Sequence, residues 1–278
     1  QHIFAGVAKD TIDGLSVSSD FGNQLSLSAY GGLTVGLADS GGTSGDSIWG
    51  GRIAHRFSIF SNVGLSYQNI ENNSNTVTST LGVDSAFLFP KNIGLYGNSV
   101  RNMETKEWGE HTYWLHLSFG NLSVRPYYEF FEYDEYFDTG SISSGPFKFL
   151  LGSGEQLEAL GLDLSWQQSP SWTFGAKGKQ YDYKINETSK YISLSSIWSG
   201  NFSTQAGGEL GKMFGDAADN DYFLVRLFFY LDQTAEKVWV DFISGDAICS
   251  FYDKEIYLQN YAYFASLGSG KYFLDGDL

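Results

Sequence analysis

Apolar and polar residues alternate along most of this chain, one for one. Val63, Leu65 and Tyr67 oppose Gly64, Ser66 and Gln68, and Leu81, Val83, Phe87 and Phe89 oppose Gly82 and Asp84. Tyr113, Leu115, Leu117 and Phe119 oppose Thr112, Trp114, His116 and Ser118, while Leu160, Leu162, Leu164 and Trp166 oppose Gly161, Asp163, Ser165 and Gln167. Phe223, Val225, Leu227, Phe229 and Leu231 alternate in the same way with Tyr222, Leu224, Arg226, Phe228 and Tyr230. A period of two places each set on its own face of a sheet, so these segments read as β-strands with one apolar and one hydrated face.

Compact turn signals return along the chain about every thirty residues, as two strands, a tight turn and a looser loop require. They are Tyr30-Gly31-Gly32, Ser61-Asn62, Pro90-Lys91-Asn92, Gly120-Asn121, Ser169-Pro170-Ser171, Gly200-Asn201, Gln233-Thr234 and Leu267-Gly268. Two strands per interval predict about sixteen strands, within a range of roughly fourteen to eighteen. The interval from Asn121 to Pro170 is longer than the rest, and its excess falls in an acidic, then Gly/Ser-rich loop at 132–154. Shorter loops are expected at Asp39–Asp46, Glu71–Asn75, Val100–Glu110, Asn186–Lys190 and Gly215–Asp221, all opposite the tight turns. Aromatic residues often end the segments (Tyr67, Phe87, Phe89, Phe119, Trp166, Trp172, Trp198), as in girdles at a membrane–water boundary.

A ten-residue strand rising ~3.3 Å per residue and tilted about 45° crosses a ~30 Å hydrocarbon layer. The alternation therefore predicts an all-β fold: a closed, antiparallel, up-and-down transmembrane β-barrel forming one domain over residues 1–278. Its short turns lie on one side and its longer acidic loops on the other. No apolar run reaches the length of a membrane-spanning helix; the most apolar one, Tyr222–Leu231, is split by Arg226. Gln1 is expected to follow a removed leader.

Composition narrows the function. The 278 residues carry a net charge of −15, which argues against nucleic acid as a partner. One cysteine, Cys249, excludes an internal disulfide framework. No Cys/His cluster suits zinc, haem or iron–sulfur ligation, so no cofactor is expected. Asp216, Asp219, Asn220 and Asp221 offer oxygen ligands without the spacing of a calcium loop and are read as solvated.

Dyad alternation, Gly-Asn and Ser-Asn turns, aromatic strand ends and acidic long loops together resemble the Gram-negative outer-membrane β-barrels, in particular the sixteen-strand porin-like architecture. The resemblance spans the whole chain and rests on pattern, without a family-defining motif. It departs at the C-terminus: such barrels usually finish on an aromatic residue, whereas Leu278 lies five residues beyond Phe273. The resemblance implies a location in the cell outer membrane, the lipid bilayer and small polar solutes or ions as partners, and a homo-oligomer or partner protein as a further possibility.

With Ile53 and Phe57 toward lipid, Arg52 and Arg56 face inward, and Arg125, Lys177 and Arg226 fall on the polar faces of their strands with Asp84, Asp163 and Asp241. These eight residues are the expected pore lining, a transverse field for polar solutes, narrowed by the loop near Phe147–Leu151. The leading expectation is a porin-like channel for passive diffusion of small polar or charged solutes. The alternatives are an export or docking barrel, for polysaccharide or a partner protein, whose inner aromatics are Trp114, Tyr222, Phe228 and Tyr230; a lipid hydrolase using His116 and Ser118; and a soluble β-sandwich. No catalysis is expected: barrel lipid hydrolases usually follow the serine with Asn, where Phe119-Gly120-Asn121 stands here, and they expose the pair at the outer rim, whereas Ser118 abuts a tight turn.

Overall fold

The structure, a computed structural model, describes residues 2–5, 8–22, 24–35, 46–58, 61–72, 75–90, 92–133, 154–185, 188–201, 203–215, 221–232, 240–256 and 258–271. Every regular element longer than one residue among them is a strand: β1 (His2–Ala5), β2 (Ala8–Phe21), β3 (Leu25–Thr34), β4 (Ser47–Ser58), β5 (Ser61–Asn72), β6 (Asn75–Phe89), β7 (Ile93–Asn102) and β8 (Trp108–Phe119). There follow β9 (Leu122–Glu132), β10 (Gln156–Ser169), β11 (Trp172–Tyr183), β12 (Ser189–Ser199), β13 (Gln205–Gly215), β14 (Tyr222–Asp232), β15 (Phe242–Ile256) and β16 (Gln259–Gly270). β1 has four residues; each of the others has between 10 and 15, long enough to cross a bilayer when tilted. The chain divides into two compact units, residues 1–117, 126–160 and 182–186, and residues 118–125, 161–181 and 187–278. In each unit every strand pairs antiparallel with its chain neighbours, the up-and-down order the alternation predicts.

In the first unit the registers assemble clean rungs. Ser19, Leu27, Ile53, Leu65 and Val83 stand opposite one another on successive strands, and the next rung, on the other face, is Asp20, Ser26, Ala54, Gly64, Asp84, Asn98 and Thr112. The second unit repeats the arrangement. Ala176, Leu194, Leu210, Val225, Cys249 and Tyr263 form an apolar rung, and Lys177, Ser193, Gly211, Leu224, Ser250 and Ala262 the rung behind it.

The faces are inverted relative to a water-soluble sheet. Leu65 is 46% exposed and its neighbour Ser66 2%; Leu194 is 64% exposed and Ser193 4%. Gln68, Thr78, Thr80 and Asn102 are likewise buried, while Leu15, Leu160 and Leu227 are exposed. An apolar cluster on the buried face is formed by Ile12, Tyr30, Ile48 and Ile70 near the β3–β4 and β5–β6 connections. The Tyr30 hydroxyl donates to Gln68 Oε1 at 2.7 Å and so joins that cluster to the polar rungs.

Three expected turns are corrected. Ser61-Asn62 lies inside β5, where Ser61 pairs with Ser58 and Asn62 with Arg56. Tyr30-Gly31-Gly32 lies inside β3, and the chain reverses at 22–24 instead. Gly32 stands opposite Gly14, and a Cβ on it would lie 2.5 Å from the Asp13 carbonyl and 2.6 Å from Gly14 Cα. Gly32 serves close approach of two strands, not reversal. Leu267-Gly268 lies inside β16; the reversal comes at 257–258, where Leu258 adopts φ 64° after a register shift in β15. The Pro90–Asn92, Gly120-Asn121, Ser169–Ser171 and Gly200-Asn201 turns stand where the sequence puts them. Gln233-Thr234, and the loop residues at 36–45, 134–153, 186–187 and 216–220, lie outside the described residues.

Loop lengths are also revised. β7 and β8 extend to Asn102 and Trp108, and β5 and β6 leave only 73–74 between them, because Asn72 and Asn75 still pair. Of the long loop, the base is described: Tyr133 N donates to the Glu155 carbonyl at 3.0 Å.

Gly32→Val is expected to destabilise the protein by about 1–3 kcal/mol, the usual penalty of overpacking. Gly178→Val, where nothing lies within 4 Å of the added Cβ, serves as the comparison and should change the denaturant midpoint little. Equal midpoints for the two variants would contradict the close approach of β2 and β3.

Candidate functional site

The buried polar face of the first unit is organised around Arg52. From β4 its side chain crosses β5 and reaches Asp84 on β6, with Nε 2.9 Å from Oδ1 and a terminal nitrogen 2.5 Å from Oδ2. The same terminal nitrogen donates to Asn62 Oδ1 at 3.3 Å. Gly64 makes this reach possible: a Cβ there would sit 2.5 Å from two guanidinium nitrogens. The polar set continues along the sheet, where Asn98, opposite Asp84, and Thr112 both donate to Glu110 Oε1, at 2.9 and 3.0 Å. Arg56 lies nearer the turns and pairs with Asp20 at 3.3 Å, both well exposed.

In the second unit the polar face carries two further arginine pairs. Arg125 on β9 meets Asp163 on β10 at 2.5 Å, leaving Asp163 Oδ1 buried without a partner. Arg226 on β14 is held by Asp246 on β15, Nε lying 3.1 Å and 3.2 Å from the two carboxylate oxygens. Its guanidinium sits 5.5 Å from the centre of the Phe228 ring, and opposite it on β13 is Glu209, which accepts from the Tyr191 hydroxyl at 3.0 Å. Lys177 is exposed on the face it shares with Lys179, whose ammonium lies 4.7 Å over the Tyr181 ring.

Seven of the eight expected lining residues, Arg52, Arg56, Asp84, Arg125, Asp163, Lys177 and Arg226, thus stand on the polar faces of their strands. Asp241 does not join them. It precedes β15, its backbone N donating to the Gly270 carbonyl, and by alternation it follows Ile243 and Gly245, not Asp246. The carboxylate that faces Arg226 is Asp246. Sequence reading missed it because Gly245 interrupts the apolar set of β15 and blurs the alternation there. The signal for Asp20 is the alternation of Leu15, Val17 and Phe21 with Ser16, Ser18 and Asp20. The signal for Asp246 is its register: Phe228 on the polar face of β14 stands opposite it.

His116 stands opposite Gly94 on the polar face of β8, and Ser118 shares that face by alternation. A serine–histidine contact occurs elsewhere. His111 Nδ1 lies 2.8 Å from Ser99 Oγ on the other face of the sheet, and Ser99 in turn contacts the Tyr113 hydroxyl.

Magnitudes decide what the charge pairs are for. Ion pairs with this much exposure contribute about 0–1 kcal/mol each, so they do little to hold the strands together. What they determine is the field over the polar face: guanidinium groups and carboxylates stand at fixed positions along it, Arg52 oriented further by Asn62.

No protein-family model and no curated protein matches the chain. Among solved structures, the anion-selective porin from Comamonas acidovorans is similar, with a TM-score of 0.42 and 9% identity over 93% of this chain and 96% of that one. OmpT, an outer membrane protein of Vibrio cholerae in its trimer form, is similar with a TM-score of 0.37 and 11% identity over 91% of this chain and 99% of that one.

Asp84→Asn and Asp246→Asn should each lower the unfolding free energy by less than about 1 kcal/mol, the range of exposed pairs. Gly64→Val should be worse than Asp84→Asn, because it displaces the Arg52 side chain bodily. A loss of several kcal/mol in either aspartate variant, read from denaturant midpoints, would mean that the pairs are structural.

Proposed function

We propose that this chain closes into a transmembrane β-barrel of the outer membrane, about sixteen strands around, and that it is a non-enzymatic, porin-like channel for passive diffusion of small polar or charged solutes. One observation carries the reading, the inversion of the two sheet faces. Burying a leucine stabilises a protein by roughly 1.5–3 kcal/mol, so Leu15, Leu160, Leu194 and Leu227 alone would forgo roughly 6–12 kcal/mol if they faced water. That is comparable with the whole stability of an ordinary domain, about 5–15 kcal/mol. Facing acyl chains, the same residues are in their preferred solvent, and every backbone donor and acceptor must then be satisfied within the sheet, which closure achieves.

An arginine or lysine at mid-membrane on the lipid side would be penalised by about 2–4 kcal/mol. Arg52, Arg125 and Arg226 avoid that penalty by standing on the opposite face, where water can reach them. With Asp84, Asp163 and Asp246 they supply fixed charges of both signs along a wetted wall, the means by which a passive pore selects among ions.

A second reading, an export or docking barrel, is favoured by two observations. The Ile12–Tyr30–Ile48–Ile70 cluster gives the polar face of the first unit an apolar end, and Tyr222, Phe228 and Tyr230 follow one another along the polar face of β14. Such a surface suits contact with a polysaccharide or with a partner protein inside the wall.

Two experiments test the channel. Leu65→Arg should lower stability in lipid vesicles by about 2–4 kcal/mol, and Ser66→Arg, one residue along, by much less. In planar bilayers the protein should conduct, and Arg52→Ala combined with Arg56→Ala should shift its ion preference toward cations. Unchanged selectivity would remove these residues from the lining. A folded, membrane-inserted protein that never conducts but purifies with a glycan or protein bound would favour the second reading.

A further inference from the structure

On the apolar face of the first unit, where β8, β9, β10 and β11 meet their loops, lies a cleft of about 610 Å³ lined by Glu107, Trp108, His111, Tyr128, Phe130, Glu132, Gln156 and Lys184. We propose that this cleft is a binding site for a neutral saccharide.

The location is unusual for such residues. His111 shares its strand face with Tyr113, Leu115 and Leu117, and Gln156 shares its own with Leu160, which is exposed. Farther along the strands this face is apolar; at the cleft it becomes aromatic and polar. Trp108 and His111 lie with ring centres 4.8 Å apart, and His111 and Phe130 5.3 Å apart, each pair tilted by about 45° (42° and 45°), so the rings form a faceted wall and not a closed stack. His111 is held in place by its Nδ1 contact with Ser99. Tyr128 is hydrogen-bonded to Glu158, which adds a further carboxylate beside the cleft.

A pyranose ring has this chemistry in complement: apolar C–H faces that lie on aromatic rings, and hydroxyls at its edge that donate to carboxylates and accept from amide and ammonium groups. Glu107 and Glu132 supply the acceptors, and Gln156 and Lys184 the donors. The charge balance selects among ligands. Glu107 and Glu132, with Glu158 behind them, outnumber Lys184 and Arg101, whose guanidinium lies 5.7 Å from the centre of the Trp108 ring, only by three to two, so the near-balance gives a phosphate or carboxylate little net attraction and a neutral sugar is preferred. The volume falls within the about 300–1,000 Å³ of small-ligand sites. A free glycan and the head group of a glycolipid offer the same ring. In the proposed barrel this cleft opens at the outer wall beside the loops, where head groups lie.

Saturation-transfer NMR tests the site on the full chain in lauryldimethylamine oxide, a detergent without sugar. Maltose, cellobiose and lactose are offered free, and maltose again as the head group of dodecyl maltoside. The expected result is saturable transfer to sugar protons, weakened at least tenfold by Trp108→Ala and by Glu107→Gln with Glu132→Gln. Trp172→Ala, an exposed tryptophan at the β10–β11 turn, should leave it unchanged, and heat-modifiable gel migration verifies that each variant is folded. Transfer to the free disaccharides assigns the site to a soluble glycan, and transfer to the maltoside alone assigns it to a lipid head group. No transfer to any of these sugars, or transfer undiminished by Trp108→Ala, overturns the proposal. The readout needs no conductance, so a silent channel leaves it standing.

Discussion

The rest of the structure depends on the two-residue period of the strand, which delivers neighbouring side chains to opposite surfaces without exception. In a soluble sandwich the apolar surface meets another sheet and disappears. Here, in both units, it stays exposed while Ser66, Gln68, Thr78 and Ser193 are covered. In the proposed reading the strands need no unusual residues for this; they need a different solvent on the greasy side. Once that solvent is hydrocarbon, the remaining features follow. Strands must be long enough to cross it, neighbours must pair so that no amide is left open, and charges must stay on the inner surface.

The polar face is then free to hold groups that a protein core would reject. Arg52 spans three strands to meet Asp84, and it does so over Gly64, the one residue type that leaves room. Arg226 is held by Asp246 and flanked by Phe228 and Glu209. Because pairs of this exposure add little to stability, their fixed geometry is better understood as control of the local field. The rung containing Asp20, Ala54, Gly64, Asp84, Asn98 and Thr112 makes the same point in its composition: small residues where a side chain passes over, polar ones where it arrives.

Much of this was legible beforehand because alternation is a local signal. Leu65 and Ser66, or Leu194 and Ser193, declare their faces from sequence alone once strand is assumed. Turn positions were legible where one residue type has one use: Pro90 cannot pair in a ladder, and Asn92 takes the left-handed conformation at φ 58°. They were misread where glycine has two uses. Gly31 and Gly32 look like a reversal in sequence, yet the purpose of Gly32 depends on Gly14, which stands opposite it only after β2 has been placed. The Leu258 reversal offers no sequence signal at all. Partner choice across strands is the other blind spot: Asp241 and Asp246 are both near β15 in sequence, and only register shows that Asp246, opposite Phe228, is the one that meets Arg226.

The same reasoning separates the two chemical regions of the molecule. The polar face follows from alternation, so its arginines and carboxylates belong to the strand period and recur in both units. The cleft at Trp108, His111 and Phe130 does not follow from it, since those residues occupy positions that the period reserves for apolar side chains. A face that is apolar from Leu117 back to Leu115 and then turns to tyrosine, histidine and tryptophan has passed from one environment into another. Aromatic rings with polar edges are suited to that boundary, where one side of the ring meets hydrocarbon and the other meets water. Two glutamates beside them go further than a boundary requires, because a girdle needs rings alone. It is this surplus of acceptors, on a face with no use for them in lipid, that distinguishes a recognition site from an anchor.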